Sequence, residues 1–163
     1  MDTGRIKSWL SLGANIGVFI GIILLLVELD QNRSLVKAEM RHAIADQYVN
    51  FMQETVNSGE IADIVVRVLN GEELTQPDRL RYQFRLRAWF RIAANVHYQY
   101  EQGLFDELEF VSIKENWRGF AAANTSAIAE VWCIDRKGLP AQFRTEMDGV
   151  FPNLNCVDLP RPN

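Results

Sequence analysis

Histidine and cysteine are scarce in this 163-residue chain, with two of each: His42, His97, Cys133 and Cys156. Two cysteines cannot make the disulfide framework of a small secreted domain. They read as two thiols, one on a helix and one in a tail; their pairing stays open, and they do not reveal a redox compartment. Two histidines are too few for a histidine-built metal centre. The chain has no glycine-rich phosphate loop and no G-x-S-x-G elbow, which removes support for a nucleotide site or a serine nucleophile. No stretch alternates apolar and polar residues as a half-buried strand does. Positive charge is not in excess: 17 basic against 21 acidic residues leave a net charge of -4, and nucleic acid is not an expected partner. The longest absence is of charge altogether, between Trp9 and Val27.

That run, WLSLGANIGVFIGIILLLV, is 19 residues long. As a helix it spans about 28 Å, close to the hydrocarbon thickness of a bilayer. Trp9 suits one interface, with Arg5 and Lys7 just outside it. A signal peptide would have a shorter apolar region and a small-x-small cleavage site, and the following ELDQNRS offers none. A core helix buried on every side would need a larger protein around it. The segment reads as an uncleaved anchor, with lipid as its first partner. Arg33, Lys37 and Arg41 follow the span, so the basic residues on its two sides nearly balance and leave orientation open.

Within the span, GANIGVFIG repeats glycine every fourth residue. Gly13, Gly17 and Gly21 fall within about 80° of one helix face. Apolar side chains gain little by leaving lipid tails, so helices in a membrane associate through close backbone packing, which glycine permits. With no second span in the sequence, the expected partner is another copy of the chain; a second expected partner is another membrane protein. Ser8, Ser11 and Asn15 lie on the opposite face. The Asn15 amide needs a hydrogen-bonding partner in lipid. It finds one on a neighbouring helix or, in the alternative reading, lines the water-filled passage of a homo-oligomeric pore together with Ser11.

Beyond the span, Leu29, Val36, Met40, Ile44, Tyr48, Phe51 and Met52 recur at steps of a helical face. The helix is expected to continue to Ser58, with Gly59 as its stop. A short helix follows to Gly71. Thr75, Pro77 and Asp78 open the next, which ends at about Gln102 with Gly103 in a left-handed turn. Asp106 and Glu109 form a capping box for a helix to about residue 122. Asn124, Thr125 and Ser126 open another toward Lys137, stopped by Gly138, and Pro140 opens the last, to Gly149. The expected fold is all-α: one transmembrane helix continuing into a small antiparallel bundle of about five helices. The expected divisions are an N-terminal tail at 1–8, the span at 9–29, the bundle at 30–150 and a Pro-rich tail at 151–163.

Two patterns invite chemistry. Glu39 and His42 make an E-x-x-H, but a di-iron bundle needs two of these, and three residues before His97 stands Ala94. His42 with Asp46, and His97 with Glu101, read as ordinary helix-face pairs. No metal, cofactor or enzymatic activity is expected. The second pattern, DRLRYQFRLRAWFR, sets Arg81, Arg85, Arg87 and Arg91 among Tyr82, Phe84, Trp89 and Phe90. Helical spacing winds these arginines around the axis, so they do not form one patch. They need acidic partners on other helices or another subunit, an ionic interface for which Glu72, Glu73, Glu101, Glu107 and Glu109 are candidates.

Three segments carry a resemblance: VELDQNRSL after the span, HYQYEQGLFDELEF followed by Trp117, and LPAQFRTEMDGVF near the end. Together they resemble a group of short, uncharacterised bacterial proteins with one N-terminal membrane helix and a helical soluble domain. The resemblance implies no activity, and it implies a place in the inner membrane of a bacterium. It implies a cytoplasmic soluble domain, because the group's N-terminal tails are poor in positive charge; Arg5 and Lys7 depart from that. The expected function is a single-pass membrane protein that self-associates through its glycines and presents a helical domain for interactions.

Overall fold

The Thr75 hydroxyl accepts a hydrogen bond from the Asp78 backbone N–H at 3.4 Å, and Pro77 occupies the first turn that follows. Both are helix-start devices: the cap satisfies a donor that has no intrahelical partner, and proline lacks the one it would waste. The helix they open runs from Gln76 to Glu101. In the computed structural model, which describes residues 3–123, 125–151 and 156, it is the third helix in a chain that is helical almost throughout. The elements are α1 (Thr3–Asn57), α2 (Gly59–Leu69), α3 (Gln76–Glu101), α4 (Glu107–Ala123), α5 (Thr125–Asp135), a 3-10 turn (Arg136–Gly138) and α6 (Ala141–Val150). No strand occurs among the described residues. The all-α expectation holds, and five α-helices follow α1.

Gly71 and Gly103 end α2 and α3 with φ of 72° and 70°. An L side chain there would clash with its own backbone, which is why glycine marks both stops. Gly59 behaves differently from expectation. It begins α2, and the break belongs to Ser58, whose hydroxyl accepts from the Ile61 N–H at 3.3 Å. Serine competes with the helix for backbone hydrogen bonds and so both ends α1 and caps α2. The Asp106–Glu109 box is half made. Asp106 accepts from the Glu109 N–H at 2.8 Å, but the Glu109 carboxylate is taken by Arg41. The run expected to reach Lys137 as α-helix tightens into the 3-10 turn after Asp135.

The chain divides into two compact units, Met1–Glu39 and Met40–Asn163. The first is the N-terminal part of α1. Its backbone is helical from Thr3, inside the expected tail at 1–8; the side chains of Arg5, Lys7 and Ser8 lie outside the described residues. From Trp9 onward its residues are exposed, apart from half-buried Gly21 and Lys37. Among the described residues one helix is long and apolar enough to cross a membrane, and its apolar window is 0% buried.

The second unit is organised around α3. Tyr82, Leu86, Trp89, Phe90, Ala93, Val96 and His97 are buried along it at three- and four-residue steps. α3 packs against α2, α5 and α6, and α4 packs against α5 and α6. Ile44 and Phe51 of α1 enter the same core. Trp117, Trp132, Phe90, Phe110 and Phe143 are its largest fully buried side chains. Cys133 and Cys156 are disulfide-bonded, with Cα atoms 5.2 Å apart. This corrects the reading of two separate thiols: α5 and the chain beyond α6 meet in space, which a separation of 23 residues does not disclose. Beside the bond, Phe151 packs against Phe90 and Trp132 at 6.4 and 6.0 Å between ring centroids. Phe151 and Cys156 thus rest on the bundle; the rest of the expected tail at 151–163, like Asn124, lies outside the described residues.

Candidate functional site

The four arginines of the aromatic-rich stretch do not converge. Arg81 pairs with Glu60 of α2 at 2.7 Å and with Asp78 at 3.1 Å. Arg87 pairs with Asp135 of α5 at 2.5 Å. Arg91 is exposed and has no ion pair among the described residues. Acids from other helices do serve two of them, but they are Glu60 and Asp135, with Asp78 of α3 itself beside Arg81, not Glu72, Glu73, Glu101, Glu107 or Glu109. The reason is angular: residues at steps of two to six around one helix face different neighbours. Most of these pairs are solvent-accessible and tie helices together only weakly.

Arg85 is the exception. Its two terminal nitrogens each donate to the Phe51 carbonyl at 3.2 Å, and the guanidinium lies 3.9 Å from the Phe51 ring centroid. No carboxylate forms an ion pair with it among the described residues; Glu54 acts on it only at longer range. Burial pushes its pKa below the usual arginine range, with Glu54 opposing.

Arg85 borders an apolar cleft of 560 Å³ between the Met40–Asn57 part of α1, α3 and α4. From α1 come Ile44, Ala45, Tyr48, Phe51 and Met52; from α4 come Ile113, Trp117 and Phe120; Trp89 of α3 and Phe105 complete it. Its aromatic wall is ordered. Trp89 stacks on Phe120 at 4.5 Å, and Phe51 meets Phe120 edge-on at 6.4 Å. The indole N–H of Trp117 donates to the Tyr48 hydroxyl at 2.9 Å, so the one polar group on each ring is satisfied within the wall. The far edge is a two-pronged pair: Arg41 Nε and Nη2 donate to Glu109 at 2.8 and 2.7 Å. Sequence reading picked out Ile44, Tyr48, Phe51 and Met52 as a helical face but not the cleft. Its walls come from segments about 70 residues apart, and only tertiary packing joins them.

The histidines are placed apart. His42 is exposed, 3.8 Å from Asp46, as a helix-face pair. His97 is buried on α3 between the rings of Phe110 and Phe143, at 5.9 and 5.8 Å. Burial pulls its pKa down from 6.5, against the pull of Glu101 and Glu146 and with Lys114 acting in the same direction as burial. Its neutral form is therefore favoured in the fold, so the unfolded chain binds the proton first as pH falls. Stability is expected to decline from about pH 6.5 downward, by at most about 1.4 kcal/mol per pH unit for this one group. Thermal unfolding at pH 7.5 and pH 5.5 checks it. His97→Phe should flatten that slope.

In the membrane-length helix, Gly13, Gly17 and half-buried Gly21 share one face, and a Cβ built on any of them meets nothing within 4 Å. Ser11 and Asn15 are exposed on the other side of the same helix. Comparison of this chain with family models, curated proteins and solved structures returns no match.

Proposed function

We propose that this chain is a single-pass bacterial membrane protein that self-associates through Gly13, Gly17 and Gly21 and presents its Met40–Asn163 unit for interactions. The observation that carries the reading is the state of the apolar helix. Its apolar window is 0% buried, and a Cβ on any of its three glycines meets nothing within 4 Å. In lipid such a stripe lets a second backbone approach closely, and no other apolar helix among the described residues is available to fill it. Another copy is the most economical occupant.

The disulfide bears on orientation. Such bonds persist in oxidising compartments and are rare in the cytosol. The Cys133–Cys156 bond therefore supports an exported second unit, with Arg5 and Lys7 held on the cytoplasmic side. This is the opposite of the placement that the resemblance implies.

Asn15, an exposed amide within the apolar run, favours a second reading as a pore subunit. Conductance across liposomes containing the purified chain separates the two. A scaffold gives no current above empty liposomes. A pore gives a current that Asn15→Leu alters, and that result would replace the first reading.

A further inference from the structure

We propose that the cleft between α1, α3 and α4 binds a single-chain amphiphile with an anionic head, carboxylate or phosphate, its tail on the Trp89–Phe120 wall and its head on Arg85. Three observations carry this. The cleft has a volume of 560 Å³, within the range of small-molecule sites, and its lining is predominantly apolar and aromatic. Two polar pairs in its lining satisfy each other: Trp117 with Tyr48 in the wall, and Arg41 with Glu109 at the far edge. The cleft therefore has little to offer a polar ligand along its length. Arg85 alone borders it with a half-buried positive charge whose direct partners among the described residues are a backbone oxygen and a ring face, with Glu54 acting at longer range.

A guanidinium taken partly out of water without an anion is costly, and it keeps unused N–H donors in a fork suited to two oxygens. Asn116 also lines the cleft and brings a neutral amide to it. An anionic head satisfies Arg85, and an unbranched tail displaces water from the aromatic wall. A cationic or zwitterionic head gains nothing there. The site lies wholly in the Met40–Asn163 unit and is independent of whether the membrane helix self-associates.

The test uses the full chain in nanodiscs of a zwitterionic lipid, in a Trp9→Phe background that removes the membrane-interface indole. Trp89 and Trp117 line the cleft, so 12-bromododecanoate bound there quenches their fluorescence. The expected result is saturable quenching. Dodecanoate and dodecyl phosphate should both compete, and the stronger of the two identifies the preferred head. Dodecanol and dodecyltrimethylammonium should compete at least tenfold less well. Arg85→Gln should weaken binding at least tenfold, and Arg91→Gln, outside the cleft, should leave it unchanged. Should Arg85→Gln fail to fold, Ala45→Phe, which fills the cleft from α1, should abolish saturable quenching in a folded protein. Absence of saturable quenching, equal competition by dodecanol, or quenching unaffected by Ala45→Phe overturns the proposal.

Discussion

Gly17→Ile is expected to turn the membrane-extracted assembly into monomers while leaving the helical unit folded. The two halves of that result have separate causes. Within one chain, a Cβ at Gly17 meets nothing within 4 Å, so the larger side chain displaces no neighbour. Between chains, the added side chain holds apart two backbones whose attraction depends on close approach. Ordinary side chains keep helix axes about 8–10 Å apart, and three glycines in a line permit less. A loss of association of at least about a hundredfold, or about 2.7 kcal/mol, is the expected size. Light scattering on the detergent-extracted particle measures it. Ile22→Phe adds similar bulk on the opposite side of the helix, about 140° from the centre of the stripe, and should leave the mass unchanged. Two monomeric variants, or two intact ones, would remove the stripe from the account.

Removing the disulfide is the second large effect. Breaking the Cys133–Cys156 bond frees a loop closed over a separation of 23 residues. In the chain-entropy account that releases about 3 kcal/mol of unfolded-state freedom. For a unit of this size the melting temperature should fall by roughly 10 °C. The loss should concentrate at the end of the bundle where Phe151 meets Trp132 and where Arg136 pairs with Asp148 at 2.7 Å. Reductant should produce the shift in the native chain and none in the variant carrying Cys133→Ser and Cys156→Ser. In cells, the bond should form only when the second unit is exported. A thiol-alkylation mass assay on unreduced cells reports it: two free thiols would mean a cytoplasmic unit and an unpaired chain.

How far the sequence discloses this molecule can be judged element by element. Helix ends were legible wherever a single residue type forces the backbone. Thr75 and Pro77 start α3, and Gly71 and Gly103 terminate two helices in the left-handed region. Ser58 misled because serine can end one helix and cap the next, and only the hydrogen bond to Ile61 shows that it does both. The scattering of the arginines around α3 followed from helical angles alone, but their partners did not. Glu60 and Asp135 could be chosen over five other acids only once the helices were packed. The membrane-length helix and its glycine face were fully visible, since both are properties of local sequence. The cleft was not, because Tyr48 and Trp117 are 69 residues apart and their contact is tertiary. The disulfide lay between these cases: both cysteines were visible, and their proximity was not.

The stripe predicts not only that copies meet but on which side. Leu24 lies about 20° from the centre of the Gly13–Gly17–Gly21 face, and Ile22 lies about 140° from it. The most direct measurement is oxidative crosslinking in native membranes of single-cysteine variants at these two positions, with the native Cys133–Cys156 pair left intact. Leu24→Cys should yield a covalent dimer and Ile22→Cys should not. A dimer from Ile22→Cys with none from Leu24→Cys would show that the helices pair through the other face, and the account of the glycines would be wrong.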